Sequence, residues 1–91
     1  MEFEWDENKC EANLAKHDID FADVVVVFED PNKINIIDDR KDYGEIRIRT
    51  IGKYFEDLIV AIINTDRNGF IRIISARQAN KKERRMYYGN R

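Results

Sequence analysis

The hydrophobic positions change period along the chain, and each change marks an element. Residues 2–5 alternate, with Phe3 and Trp5 between Glu2 and Glu4, in the manner of a short strand. Asp6 is a good helix N-cap. The stretch 7–17 then carries only a narrow apolar stripe of Cys10, Leu14 and small alanines, as in a helix with one face on a core. Asp20 offers a second start. Phe21, Val24, Val25 and Phe28 follow it at helical spacing, whereas the run Val24-Val25-Val26-Val27 is β-branched and favours a strand. Cap and spacing together predict a helix through Phe28, ended by Asp30-Pro31. Strands are expected at 34–37, 45–53, 57–65 and 70–76, with a polar loop at 38–44. The segment Leu58 to Ile63 is apolar on both faces, so its strand should be central and covered on both sides. Asp66-Arg67-Asn68-Gly69 reads as a hairpin turn in which Asn-Gly supplies positive φ. Asn80 and Glu83 form a capping box that opens a last helix, and Gly89 fits its end. The order β-α-α-β-β-β-β-α predicts an α+β fold. It consists of an antiparallel meander with two helices before it and one after, in a single domain over residues 1–91.

Composition narrows the setting. Apolar residues make up 43% of the 91, enough for one packed core. Cys10 is the only cysteine, so no disulfide closes within the chain, and a reducing, cytoplasmic location is expected. The acidic opening Met1 to Asp6 holds no apolar leader. The longest apolar run, Leu58 to Ile63, is far too short to span a membrane. Charge is the informative property. Residues 1–45 hold 5 Lys/Arg against 14 Asp/Glu, a net of −9, and residues 46–91 hold 11 against 4, a net of +7. Such a split fits a polyanion partner for the basic half, or charges that pair across the folded surface.

Three constellations bear on chemistry. In Ile46-Arg47-Ile48-Arg49, strand alternation puts Arg47 and Arg49 on one face and Ile46 and Ile48 toward the core. In Phe70 to Ala76, Ile71, Ile73 and Ser75 share one face while Arg72, Ile74 and Ala76 share the other, with Arg77 following the strand end. Guanidinium groups suit phosphate because the planar fork donates two parallel hydrogen bonds under a permanent charge. The same pattern also fits an ordinary solvated sheet face. Second, Lys9, Asn13, Lys16 and His17 fall on one stripe of the first helix. His17 is the only histidine and suits proton transfer, or equally a favourable charge at a helix C-terminus. Third, the last helix carries Lys81, Lys82, Arg84, Arg85, Tyr87 and Tyr88. It fits a grip on single-stranded RNA by charge and stacking, or a solvated helix with one tyrosine packed on the sheet. One His and one Cys argue against a zinc site. The acidic run Asp38-Asp39…Asp42…Glu45 lacks EF-hand spacing and reads as a solvated loop, so no cofactor is expected.

Taken in order, these pieces resemble the BrnT family. The resemblance rests on Phe3-Glu4-Trp5-Asp6-Glu7-Asn8-Lys9, Asn13, Lys16-His17, Phe21-Ala22 and Phe28-Glu29-Asp30-Pro31. It continues through Glu45-Ile46-Arg47, Ile51-Gly52, the run Ile71 to Ala79, Glu83-Arg84 and Tyr87, and so spans nearly the whole chain. It implies a RelE-like fold and a metal-independent ribonuclease toxin of a type II toxin–antitoxin pair. It also implies a BrnA-like antitoxin that binds directly and alone meets operator DNA. Carried onto this sequence, it makes Arg72 and Arg77 the first candidates for phosphate stabilisation, and Arg47 and Arg49 the next. His17, Lys9 or Tyr87 would transfer protons, Glu45 would orient an arginine or act as base, and Lys16, Arg84 and Arg85 would bind RNA. Two other readings stay open at this point: a catalytically inactive module that binds a partner or acts as co-repressor, and a structural domain whose basic strands only pair with its acidic half. The mild overall acidity departs from a strongly basic ribonuclease and requires the cations to gather on one face.

Overall fold

A computed structural model describes residues 1–89. Its elements are β1 (Glu2–Trp5), α1 (Glu7–His17), α2 (Phe21–Val24), β2 (Ile34–Ile37), β3 (Ile48–Phe55), β4 (Leu58–Arg67), β5 (Phe70–Gln78) and α3 (Lys81–Gly89). The caps are the predicted ones. The Asp6 carboxylate accepts from the Asn8 and Lys9 amides, and α1 closes where Asp18 turns left-handed and bonds back to the Leu14 carbonyl. Asp20 likewise accepts from the Ala22 amide. The valine run leaves its mark on the second helix. Only one α-turn forms, and Val25–Glu29 tightens into a 3-10 helix. The three-residue period of that helix eclipses Val24 with Val27, and both are fully buried.

The strands form one five-stranded sheet in the order β1-β5-β4-β3-β2. β2 to β5 make the expected antiparallel meander. β1, however, pairs with β5 in parallel, Glu2 opposite Phe70 through Trp5 opposite Ile73, so the sheet is mixed rather than wholly antiparallel. The cause is burial. In this position Phe3 and Trp5 join Ile71 and Ile73 on the helix-covered face, Phe3 meeting Phe28 at 5.1 Å and Trp5 meeting Phe21 edge-on at 6.2 Å.

Central β4 is covered on both sides, as its double-faced apolarity requires. Val60 and Ile62 lie under α1 and α2, while Ile59 and Ala61 lie under Tyr87 of α3. Gly52 of β3 is the point of closest approach. A Cβ there would stand 2.6 Å from Val27 Cγ1.

Two departures from simple alternation bear on the site. β3 starts at Ile48, not at residue 45, and Ile46 is 71% exposed instead of facing the core. Its neighbours Glu45 and Arg47 are tied to polar partners at the rim, outside the ladder. In β5 a bulge intervenes: Ile63 of β4 faces Ser75 and Asn64 faces Ile73, leaving Ile74 without a partner. The bulge inverts alternation beyond it. Ile73 and Ala76 therefore both enter the helix-covered core, and Arg72 and Arg77 share the opposite face. Arg77 itself lies within β5, not beyond its end.

Candidate functional site on the arginine face of the sheet

The face opposite α1 and α2 collects the cations. Across the sheet, Arg49 stands opposite Ile63, and Ile63 opposite Ser75; one step along, Ile51, Ala61 and Arg77 form the next row. Arg72, opposite Thr65 and Glu4, lies on the other side of the Arg49 row. Arg47 sits just outside β3, two residues from Arg49.

α3 closes one end of this face with Glu83, whose side chain is 1% exposed. Arg49 Nη1 donates to Glu83 Oε2 at 2.7 Å. Arg77 grips both oxygens, Nη1 to Oε1 at 2.7 Å and Nη2 to Oε2 at 3.0 Å. The capping box supplies the rest: the Asn80 amide donates to Glu83 Oε1 at 2.9 Å, and the Glu83 amide to Asn80 Oδ1 at 2.8 Å. Burial alone would raise the Glu83 carboxyl. The hydrogen bonds from Arg77, Asn80 and Arg49 outweigh it and hold the group down at about 2. The Arg49 and Arg77 side chains remain 26% and 30% exposed.

The other arginines also carry carboxylate partners. Arg72 pairs with Glu4 at 2.8 Å. Arg47 and Arg67 both bond Glu45, at 3.2 and 3.0 Å, and these bonds, with Arg67 the larger contributor, lower the Glu45 carboxyl. Arg47 also stacks 4.0 Å over the Tyr43 ring.

The α1 stripe lies at the flank of this face. Lys9, Asn13, Lys16 and His17 line a shallow pocket of about 220 Å³ with Ile74 and Ser75. Lys9 and Lys16 are exposed and His17 half-buried. Asn13 is buried and structural. Its amide donates to the carbonyls of Ile19 and Ala76 and its oxygen accepts from the Ala76 amide, which docks α1 on β5 beyond the end of β1. Ser75, a neighbour of Ile63 in the Arg49 row, also lines the α1 pocket.

Tyr87 is elsewhere. It is 1% exposed, packed on Ile51, Ile59 and Ala61, with its hydroxyl donating to Asp30 Oδ2 at 2.7 Å. This placement corrects its expected role in proton transfer, because the ring is the anchor of α3. Arg84 and Arg85, with Lys81 and Tyr88, line the outer stripe of α3, on the side away from the sheet. Sequence reasoning assigned Glu83 only a capping role and overlooked Tyr43. A glutamate at the third helix position directly after an arginine-bearing strand was the available signal for the first.

The protein is thus a small α+β fold with a five-stranded mixed sheet, one face of which gathers arginines paired with Glu4, Glu45 and Glu83. Comparison gives the family. The family model described as ribonuclease toxin, BrnT, of type II toxin–antitoxin system matches residues 5–83, and the chain belongs to that family. The chain is also similar to the Brucella abortus ribonuclease toxin, BrnT, known from a 1.1 Å crystal structure. The two share 30% identity at a TM-score of 0.72, over 89% of this chain and 99% of that one. No curated protein sequence matches the chain. Family membership makes the chain a ribonuclease toxin of a type II system and implies an antitoxin as partner.

Proposed function

We propose that the protein is an endoribonuclease that cleaves single-stranded RNA without a metal, by attack of a ribose 2′-hydroxyl on the adjacent phosphorus, and so inhibits translation in the cytoplasm. The observation that supports this most is the β5 bulge, which gathers Arg72 and Arg77 with Arg49 on one open face. In the step proposed, the 2′-hydroxyl loses its proton to a base as its oxygen bonds to phosphorus. The bond from phosphorus to the 5′-oxygen breaks, an acid protonates that oxygen, and a 2′,3′-cyclic phosphate remains. Arg72, Arg77 and Arg49 take the charge that grows on the equatorial oxygens, with Arg47 at the rim. His17 or Lys9 is proposed to transfer the protons; in support, both line one shallow pocket with Ser75. Lys16 is proposed to hold flanking backbone, and Arg84 and Arg85, on the outer stripe of α3, to hold a segment beyond the sheet face.

The neutralising partner in this reading is a BrnA-like antitoxin that covers the arginine face and alone contacts operator DNA. Induced expression tests the activity. The wild type should arrest growth with loss of cellular RNA, and an Arg72→Ala/Arg77→Ala double variant, equally soluble, should do neither. Cells indifferent to folded wild type would instead mark an inactive partner-binding module.

A further inference from the structure

Resting on the ribonuclease reading, we infer that Glu83 is a positioning residue: its buried carboxylate holds the Arg49 and Arg77 guanidiniums side by side as a two-armed clamp for one phosphate of RNA. The two arginines come from different strands, β3 and β5, and carry like charges on long flexible stems. Left alone they repel and sample many rotamers. Both nevertheless donate to the same oxygen, Glu83 Oε2, at 2.7 and 3.0 Å. That shared acceptor brings their nitrogens within the span of two oxygens of a single phosphate.

The carboxylate does not depend on the arginines for its own place. The Asn80 amide bonds Oε1, and the helix start fixes the Glu83 backbone. The start of α3 therefore sets the position, and the two guanidiniums are built onto it. Arg49 Nε is buried with no hydrogen-bond partner. Glu83 also cancels one of the two charges, so the clamp is poised at a net single positive charge, able to release RNA as well as hold it.

Glu83→Gln separates positioning from capping. Glutamine serves in a capping box as glutamate does, but it presents a neutral amide that cannot accept the Arg77 fork on both atoms. The purified variant would be compared with the wild type in two measurements: the Kd for a fully 2′-O-methylated oligoribonucleotide, which cannot be cleaved, and the single-turnover rate on the unmethylated oligoribonucleotide at saturation. The clamp predicts unchanged or tighter binding, from the added positive charge, together with a saturated rate lower by about tenfold or more. A folded Glu83→Gln variant cleaving at the wild-type saturated rate overturns the clamp and leaves Glu83 a helix cap. A wild type that cleaves no RNA overturns the ribonuclease reading, and this role with it. If Glu83→Gln does not fold, Arg49→Gln is measured in its place. Loss of one arm should lower the saturated rate while Arg77 remains, and an unchanged rate overturns the clamp.

Discussion

Glu83 makes the protein's stability depend on acid. Its carboxyl, ordinarily near 4.5, sits at about 2 in the fold. A depressed folded value means that the stabilisation is complete above 4.5 and is lost as pH falls toward 2. The shift corresponds to something on the order of 3 kcal/mol. Asp30 and Asp38 are lowered as well, the first against the pull of its own burial and the second chiefly by Arg40, and they act in the same direction. Urea midpoints measured from pH 6 down to pH 2 should therefore fall steadily, and the Glu83→Gln variant should show a flatter decline. A parallel decline in the two proteins would mean that Glu83 carries none of the effect. Tyr87 gives a second test at this scale. Tyr87→Phe keeps the ring on Ile51, Ile59 and Ala61 and removes the hydroxyl that donates to Asp30. It should lower stability by about 1 kcal/mol and leave RNA cleavage unchanged. A cleavage defect at full stability would restore the tyrosine to the site.

Elements are joined here by few, specific contacts. Asn13 replaces a strand at the outer edge of β5, where β1 has already ended, with one amide serving the Ala76 N–H and C=O and the Ile19 carbonyl. Asn13→Ala leaves these buried groups unpaired and should cost about 3 kcal/mol. A loss below 1 kcal/mol in urea unfolding would show that water replaces the amide. Gly52→Ala drives a methyl to within 2.6 Å of Val27 Cγ1 and should cost about 1–3 kcal/mol, read in the same way. At this scale the element sequence was legible because caps and periods are local: Asp6, Asp20, Asn80 and the Asn68-Gly69 turn each announce themselves within a few residues. The bulge at Ile74 was not. It answers the packing of Ile73 and Ala76 against helices that lie far away in sequence, and no turn residue marks it. Straight alternation therefore put Ser75 with Ile73 and Ala76 with Arg72 and set Arg77 past the strand end, whereas Ala76 enters the core and Arg77 lies within β5 on the face of Arg72.

At the scale of the molecule, the net charge of −2 conceals two unlike surfaces. Exposed Glu7, Glu11, Asp18, Asp23 and Glu29 outnumber exposed Lys9 and Lys16 on the α1–α2 layer, and the arginines of β3 and β5 lie across the sheet from it. The charge split between the halves of the chain left a polyanion partner and pairing across the folded surface both open, and the pairs Arg72–Glu4, Arg47–Glu45 and Arg67–Glu45 join the two halves. The carboxylates set among the arginines, Glu4, Glu45 and Glu83, were invisible as partners because each comes from a distant element. They also shape binding. Arg49, Arg72 and Arg77 enter a complex already paired, so RNA displaces or shares a carboxylate as well as releasing counterions. The salt dependence should then be shallower than a count of the cations on the face implies. A plot of log K against log salt for the non-cleavable oligoribonucleotide should fall with a slope of about −0.7 for each phosphate engaged. Arg72→Ala should flatten that slope by less than one phosphate's worth, because Glu4 is freed at the same time and repels the backbone. Glu4→Gln should steepen it. A slope insensitive to both changes would place the RNA away from the β1–β5 side of the sheet and confine its path to the Arg49–Arg77 end.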